Sequence, residues 1–134
     1  VVAQVISGWL AAESAFTNAA RTPDPDAPEL GATTIDPQLT WSRSLLGRMA
    51  ASGQTAEGPV RYGTPRVIAL HGDQAIVRTC ARDAEIVVFV ASGRPAPGIL
   101  GQVDYELFTS TMQQIEGGWK LLTQVVGVGQ CDRL

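Results

Sequence analysis

Between residues 2 and 21 apolar side chains return at steps of three and four: Val2, Val5 with Ile6, Trp9, Phe16, Ala19 with Ala20. That period predicts an amphipathic helix, and Ala11, Ala12 and Ala15 add helix propensity. Glu13 interrupts the stripe. It is either a solvated flank of the helix or a carboxylate aimed into a cavity, and an ordinary, solvated group is the expectation. Pro23, Pro25 and Pro28 end the helix near Thr22, because proline has no amide hydrogen and its ring clashes with the preceding turn. A short helix is predicted around Asp26–Ala32. Another follows Asp36-Pro37, where Asp suits the N-cap and Pro the first helical position. Leu39, Trp41, Leu45, Leu46 and Met49 supply its apolar positions, and Gly53 its end.

From Pro59 onward the period becomes two. RYGTPRVIALHGDQAIVRTCARD reads as two strands about a turn at His71-Gly72-Asp73, and EIVVFVASGRPAPG as a third strand closed by a Gly/Pro loop. The remainder reads as two long strands joined by a Gly117-Gly118 turn. In the fourth strand Val103, Tyr105, Leu107, Thr109 and Thr111 share one face, read as inward; Asp104, Glu106, Phe108, Ser110 and Met112 share the other. Asp104 and Glu106 are therefore expected in solvent. In the fifth, Trp119, Leu121, Thr123 and Val125 lie opposite Lys120, Leu122, Gln124 and Val126. Apolar positions on both faces ask for cover beyond the helices, which a homodimer through the sheet or another partner would give. Helices followed by hairpin-linked strands predict an α+β fold, a single domain over 1–134 with N-terminal helices packed on an antiparallel sheet.

A net charge of −3, with scattered cations of which all but Lys120 are Arg, excludes a general nucleic-acid binder. No apolar run approaches the roughly 18 residues of a membrane-spanning helix, and no signal-peptide pattern is seen. The chain starts at Val1 and reads as a mature or truncated form, with membrane attachment expected only through a missing N-terminal anchor. Cys80 and Cys131 leave two readings open, buried thiols or one disulfide. Their spacing is no zinc or redox signature, and His71 alone cannot complete a metal set. Neither metal nor cofactor is expected; Gly127-Val128-Gly129 ends a strand with no helix after it, unlike a dinucleotide fingerprint. The serines lack a GxSxG setting, and His71 reads as a turn residue at the sheet rim, so no catalytic residue is assigned.

The order of elements, closing in a Gly-Gly-Trp-Lys hairpin, resembles the nuclear-transport-factor-2-like superfamily. Its members curl a sheet into a cystatin-like cone roofed by the N-terminal helices. Three motifs resemble those of small secreted proteins and lipoproteins of high-GC Gram-positive bacteria: Thr22-Pro23-Asp24-Pro25-Asp26-Ala27-Pro28-Glu29-Leu30, Gly72-Asp73-Gln74-Ala75-Ile76-Val77 running on to Cys80, and Gly129-Gln130-Cys131. Arg82 departs from the pattern, standing where those proteins often carry an acid, with Asp83 next. The resemblance implies a Cys80–Cys131 disulfide, an extracytoplasmic location and a cavity. Trp9, Glu13, Phe16, Trp41, Tyr105 and Trp119 are the candidates to line that cavity. The function expected is non-catalytic binding of a small apolar ligand or an envelope partner. The alternatives are an isomerase or cyclase using a cavity carboxylate such as Glu13, or an accessory module of a membrane-associated complex.

Overall fold

The structure is a computed structural model and describes residues 1–96 and 104–131. Helix α1 (Val2–Arg21) buries Val5, Trp9, Ala12, Glu13, Ala15, Ala19 and Ala20; of the predicted stripe Val2 is exposed and Ile6 and Phe16 are half-buried. Its C-terminus is pinned from outside: Arg21 donates to the carbonyls of Ala56 and Gly58 at 3.1 and 2.6 Å. Helix α2 (Pro28–Thr33) begins on its proline, and α3 (Gln38–Ala51) follows. Pro37, expected at the first helical position, is instead the N-cap, and the helix begins at Gln38. Asp36 still serves the helix start, accepting from the Thr40 amide at 2.9 Å and the Thr40 hydroxyl at 2.6 Å. Among the described residues, no helix is long and apolar enough to cross a membrane.

Among the described residues seven strands follow, two more than the sequence predicts. β1 (Gln54–Glu57) and β5 (Ile86–Phe89) pair antiparallel as a separate two-stranded sheet. The run read as one first strand is broken into β2 (Val60–Tyr62) and β3 (Arg66–His71), which pair with opposite ends of the same edge of β4 (Gln74–Asp83). Gly63-Thr64-Pro65 makes the break, since Pro65 has no amide hydrogen to give the ladder. β4 pairs with β6 (Asp104–Ile115), and β6 with β7 (Gly118–Val128), all antiparallel. The β6–β7 turn centres on Glu116-Gly117 rather than Gly117-Gly118, with Gly117 carrying the positive φ of 85°.

Between Thr111↔Thr123 and Met112↔Leu121 the register shifts, leaving Leu122 as an extra residue in β7. A bulge of this kind bends a strand and reverses which residues face inward. Trp119 and Leu121 face the core before it, and Gln124 and Val126 face inward after it. The free edge of β7 is held here from the helical side. Ile35 donates its amide to the Leu121 carbonyl at 2.9 Å, and the Gln124 amide donates to Gln38 Oε1 at 3.0 Å.

Two apolar cores flank the level of Glu13. One sets Val5 and Trp9 of α1 against Val77, Phe108, Met112 and Leu121 of the sheet. The other joins Ala19 and Ala20 to Leu30, Leu46, Met49 and Ala56. Helix and sheet approach closely at Gly8, where a Cβ would lie 2.4 Å from the Trp119 carbonyl oxygen. Cys80 and Cys131 form a disulfide with a Cα–Cα distance of 6.0 Å, tying β4 to the segment after β7.

The inward face of β6 is the opposite of the one expected. Phe108, Ser110 and Met112 are buried against α1, while Tyr105, Leu107, Thr109 and Thr111 lie on the outer face. Period-two alternation separates two faces but does not orient them. Here the small Ala75 and Ala81 of β4 leave inward room that the larger Phe108 and Met112 fill. Val103 and the side chain of Asp104 lie outside the described residues.

Candidate functional site

Trp9 and Glu13 are four residues apart on α1 and so point from one helix face toward the same stretch of sheet. Trp9 is fully buried, and its indole N–H donates to Ser110 Oγ at 2.9 Å. Gln124, brought inward by the bulge, donates its side-chain amide both to Ser110 Oγ at 3.0 Å and to Glu13 Oε1. The Tyr62 hydroxyl donates to Glu13 Oε2 at 2.9 Å. Three elements, α1, β2 and β7, thus meet on one carboxylate that is only 7% exposed, and β6 joins the network through Ser110. Tyr62 is wedged edge-on between Trp9 and Phe108, with ring centroids at 5.2 and 5.8 Å.

Above this network a cavity of about 190 Å³ opens between the helices and the sheet. Phe16 and Trp41 form its helical wall, with rings 6.4 Å apart and tilted by 33°. Tyr62, Phe108 and Leu121 form the sheet wall. Asp83, Glu85 and Glu106 stand in the lining with Glu13. A second cavity of about 280 Å³, walled by Leu45, Met49 and Val87, adjoins the first and shares Phe16 and Glu85 with it.

Burial pushes the Glu13 carboxyl above the ordinary glutamate value of 4.5, against the lowering effect of the bonds from Gln124 and Tyr62. Desolvation wins because two neutral donors do not replace the hydration of a full charge. Burial, then the Glu13 charge and the bond to it, push the Tyr62 hydroxyl upward as well, so it is a neutral donor. Glu85 is raised by burial and by the charge of Asp83, with Arg21 opposing. A carboxyl of this kind can hold or pass a proton. Both oxygens, however, already accept hydrogen bonds, and the Tyr62 proton is directed at Glu13 rather than into the cavity. Among the described residues, no group of three or more His, Cys, Asp or Glu is placed to hold a metal ion.

Of the residues expected at the cavity, Glu13, Phe16 and Trp41 line it. The solvated Glu13 expected from the helix pattern is corrected: the carboxylate is buried. Trp9 lies beneath the cavity as a core residue that holds Ser110. Trp119 is buried near the hairpin end and borders a wide groove of about 950 Å³ beside α1. Tyr105 is on the far side of the sheet. Glu106, expected in solvent, borders the cavity. His71 is exposed at the β3–β4 turn. Tyr62, Ser110 and Gln124 were not legible as site residues. A Val60–Tyr62 alternation marks Tyr62, but nothing in the sequence announces the bulge that turns Gln124 inward.

No protein-family model and no curated protein matches the chain. Its structure is similar to the intermembrane-space region of chloroplast protein ARC6, with a TM-score of 0.65 at 12% identity over 93% of this chain and 97% of that one. It is also similar to a ketosteroid isomerase-like protein from Erwinia carotovora atroseptica, with a TM-score of 0.64, 14% identity, and 97% of each chain covered. A third likeness is to a candidate dehydratase of the NTF2-like family from Streptomyces avermitilis. There the TM-score is 0.58 and the identity 14%, over 98% of this chain and 100% of that one. The chain therefore has the nuclear-transport-factor-2-like fold: α+β, with N-terminal helices packed on a curved antiparallel sheet.

Proposed function

We propose that this domain binds a small, largely apolar ligand in the cavity above Glu13, outside the cytoplasm, without transforming it. The observation that carries this reading is the Glu13 network. An aromatic-walled space has a polar floor whose acceptors and donors already satisfy one another, so the floor shapes the site instead of waiting for a reacting atom. Pockets of this kind combine apolar walls with a few placed polar groups. The location is supported by the Cys80–Cys131 disulfide, since such bonds persist in oxidising compartments. It accords with the motif likeness to secreted proteins and lipoproteins of high-GC Gram-positive bacteria, and with the intermembrane-space likeness.

A second reading is favoured by one observation. A carboxyl raised by burial in an apolar cavity is what a proton-transferring isomerase or dehydratase requires, and two similar structures carry such names.

A fragment screen by ligand-observed NMR separates the two readings, run on the native domain and on Val126→Trp, which places an indole at the half-exposed mouth. The binding reading expects apolar fragments that lose the site in the variant and are recovered unchanged after long incubation. Fragments that ignore the variant overturn it. Chemical conversion lost in Glu13→Gln would instead establish the second reading.

A further inference from the structure

We propose that the ligand is an organic cation, an apolar amine or quaternary ammonium whose charged head sits between the carboxylates and aromatic rings of this cavity. The proposal rests on the small-ligand reading and adds the charge of the ligand to it.

Three features converge. Glu13, Asp83 and Glu85 all stand in the cavity lining, and no Lys, Arg or His does among the described residues. The carboxylates feel one another: the charges of Asp83 and Glu13 both act on Glu85. Arg21 opposes these charges at Glu85 from outside the lining, its guanidinium donating to the carbonyls of Ala56 and Gly58. An empty site of this composition stores unfavourable repulsion that a bound cation removes and a bound anion worsens.

The walls supply the second feature. Phe16, Trp41 and Phe108 present rings to the same space, and a cation over an aromatic face is attracted by the ring quadrupole. Size supplies the third. The carboxylates are not grouped to hold a metal ion, yet they border a space of about 190 Å³. Spread charges around an apolar volume match a large, weakly hydrated cation, whose methyl or methylene groups make the apolar contacts while its charge is shared. One Glu13 oxygen is held by Tyr62 and the other by Gln124, so the carboxylate is fixed in place before any ligand arrives.

The test is calorimetric titration of the native domain at neutral pH with tetramethylammonium, choline and benzyltrimethylammonium. Each is compared with its uncharged isostere, in which carbon replaces nitrogen, and choline also with the corresponding carboxylate. At least one cation is expected to bind about tenfold or more tightly than its isostere. Glu85→Gln and Asp83→Asn, neither of them hydrogen-bonded to Glu13, are expected to weaken the cation severalfold and leave the isostere unchanged. An isostere that binds as well as every cation, or a carboxylate that binds best, overturns the cationic assignment while leaving the pocket reading intact. If neither cations nor isosteres bind, both readings fall.

Discussion

Glu13 shows how one residue links sequence, packing and chemistry. Its folded-state pKa lies above the ordinary value, so the native state holds the proton more tightly than the unfolded chain does. The stability this contributes is complete below the ordinary glutamate value of 4.5 and is lost as pH rises through the folded pKa. Urea denaturation from mildly acid to mildly alkaline pH should show stability falling with pH over that window. Glu13→Gln should flatten the fall; Glu85, raised in the same sense, keeps part of it. Coincident curves for the two proteins would contradict a buried Glu13. Trp9→Phe tests the floor below: it preserves an aromatic ring but takes the indole donor from Ser110 Oγ. A loss of about 1–3 kcal/mol is expected, and an unchanged denaturation midpoint would mean the bond contributes nothing.

Elements were more legible than their junctions. The 3.6-residue period of α1 and the proline stop were plain, because both are local properties of the chain. The bulge at Leu122 was not, because an extra residue leaves the alternation looking regular on either side while exchanging the faces. That single shift hid Gln124, and so hid half of the site's hydrogen bonding. Tyr105 was misplaced for a related reason: β6 has apolar side chains on both faces, and only the small residues of β4 decide which face turns inward. Gly8 tests the docking of α1, with Gly47 of α3 as a control of opposite sign. At Gly8 an added methyl meets the Trp119 carbonyl, so Gly8→Ala should cost about 1–3 kcal/mol despite its better helix propensity. At Gly47 in α3 nothing lies within 4 Å of the added methyl, so Gly47→Ala should stabilise by roughly 0.5–1 kcal/mol. Thermal unfolding of the two variants checks both; equal effects would mean α1 does not sit on β7 as described.

On the scale of the whole molecule, the disulfide and the outer sheet face carry the consequences. The Cys80–Cys131 bond spans 51 residues, including all of β5, β6 and β7. Opening a loop of that length should cost about 4 kcal/mol on the chain-entropy argument. Denaturation with and without reductant measures it, and intact mass after alkylation of the unreduced protein should show no free thiol. The outer face pairs Arg61 with Arg82 and Arg66 with Arg78 across neighbouring strands. A dimer through this face, as apolar positions on both sides of the last strands led us to expect, would gather like charges and should strengthen as salt screens them. Sedimentation at two ionic strengths would show it; association favoured by low salt would point to another surface.

Helices and sheet close around Glu13 and leave a cavity with a buried carboxylate as its floor. The NMR pH titration of the Glu13 side-chain carboxyl tests this most directly. A midpoint displaced clearly upward from those of the other glutamates is the predicted result, and in Gln124→Leu, with one lowering bond removed, it should move further up. A Glu13 midpoint indistinguishable from that of a solvated glutamate would mean that the carboxyl is not buried.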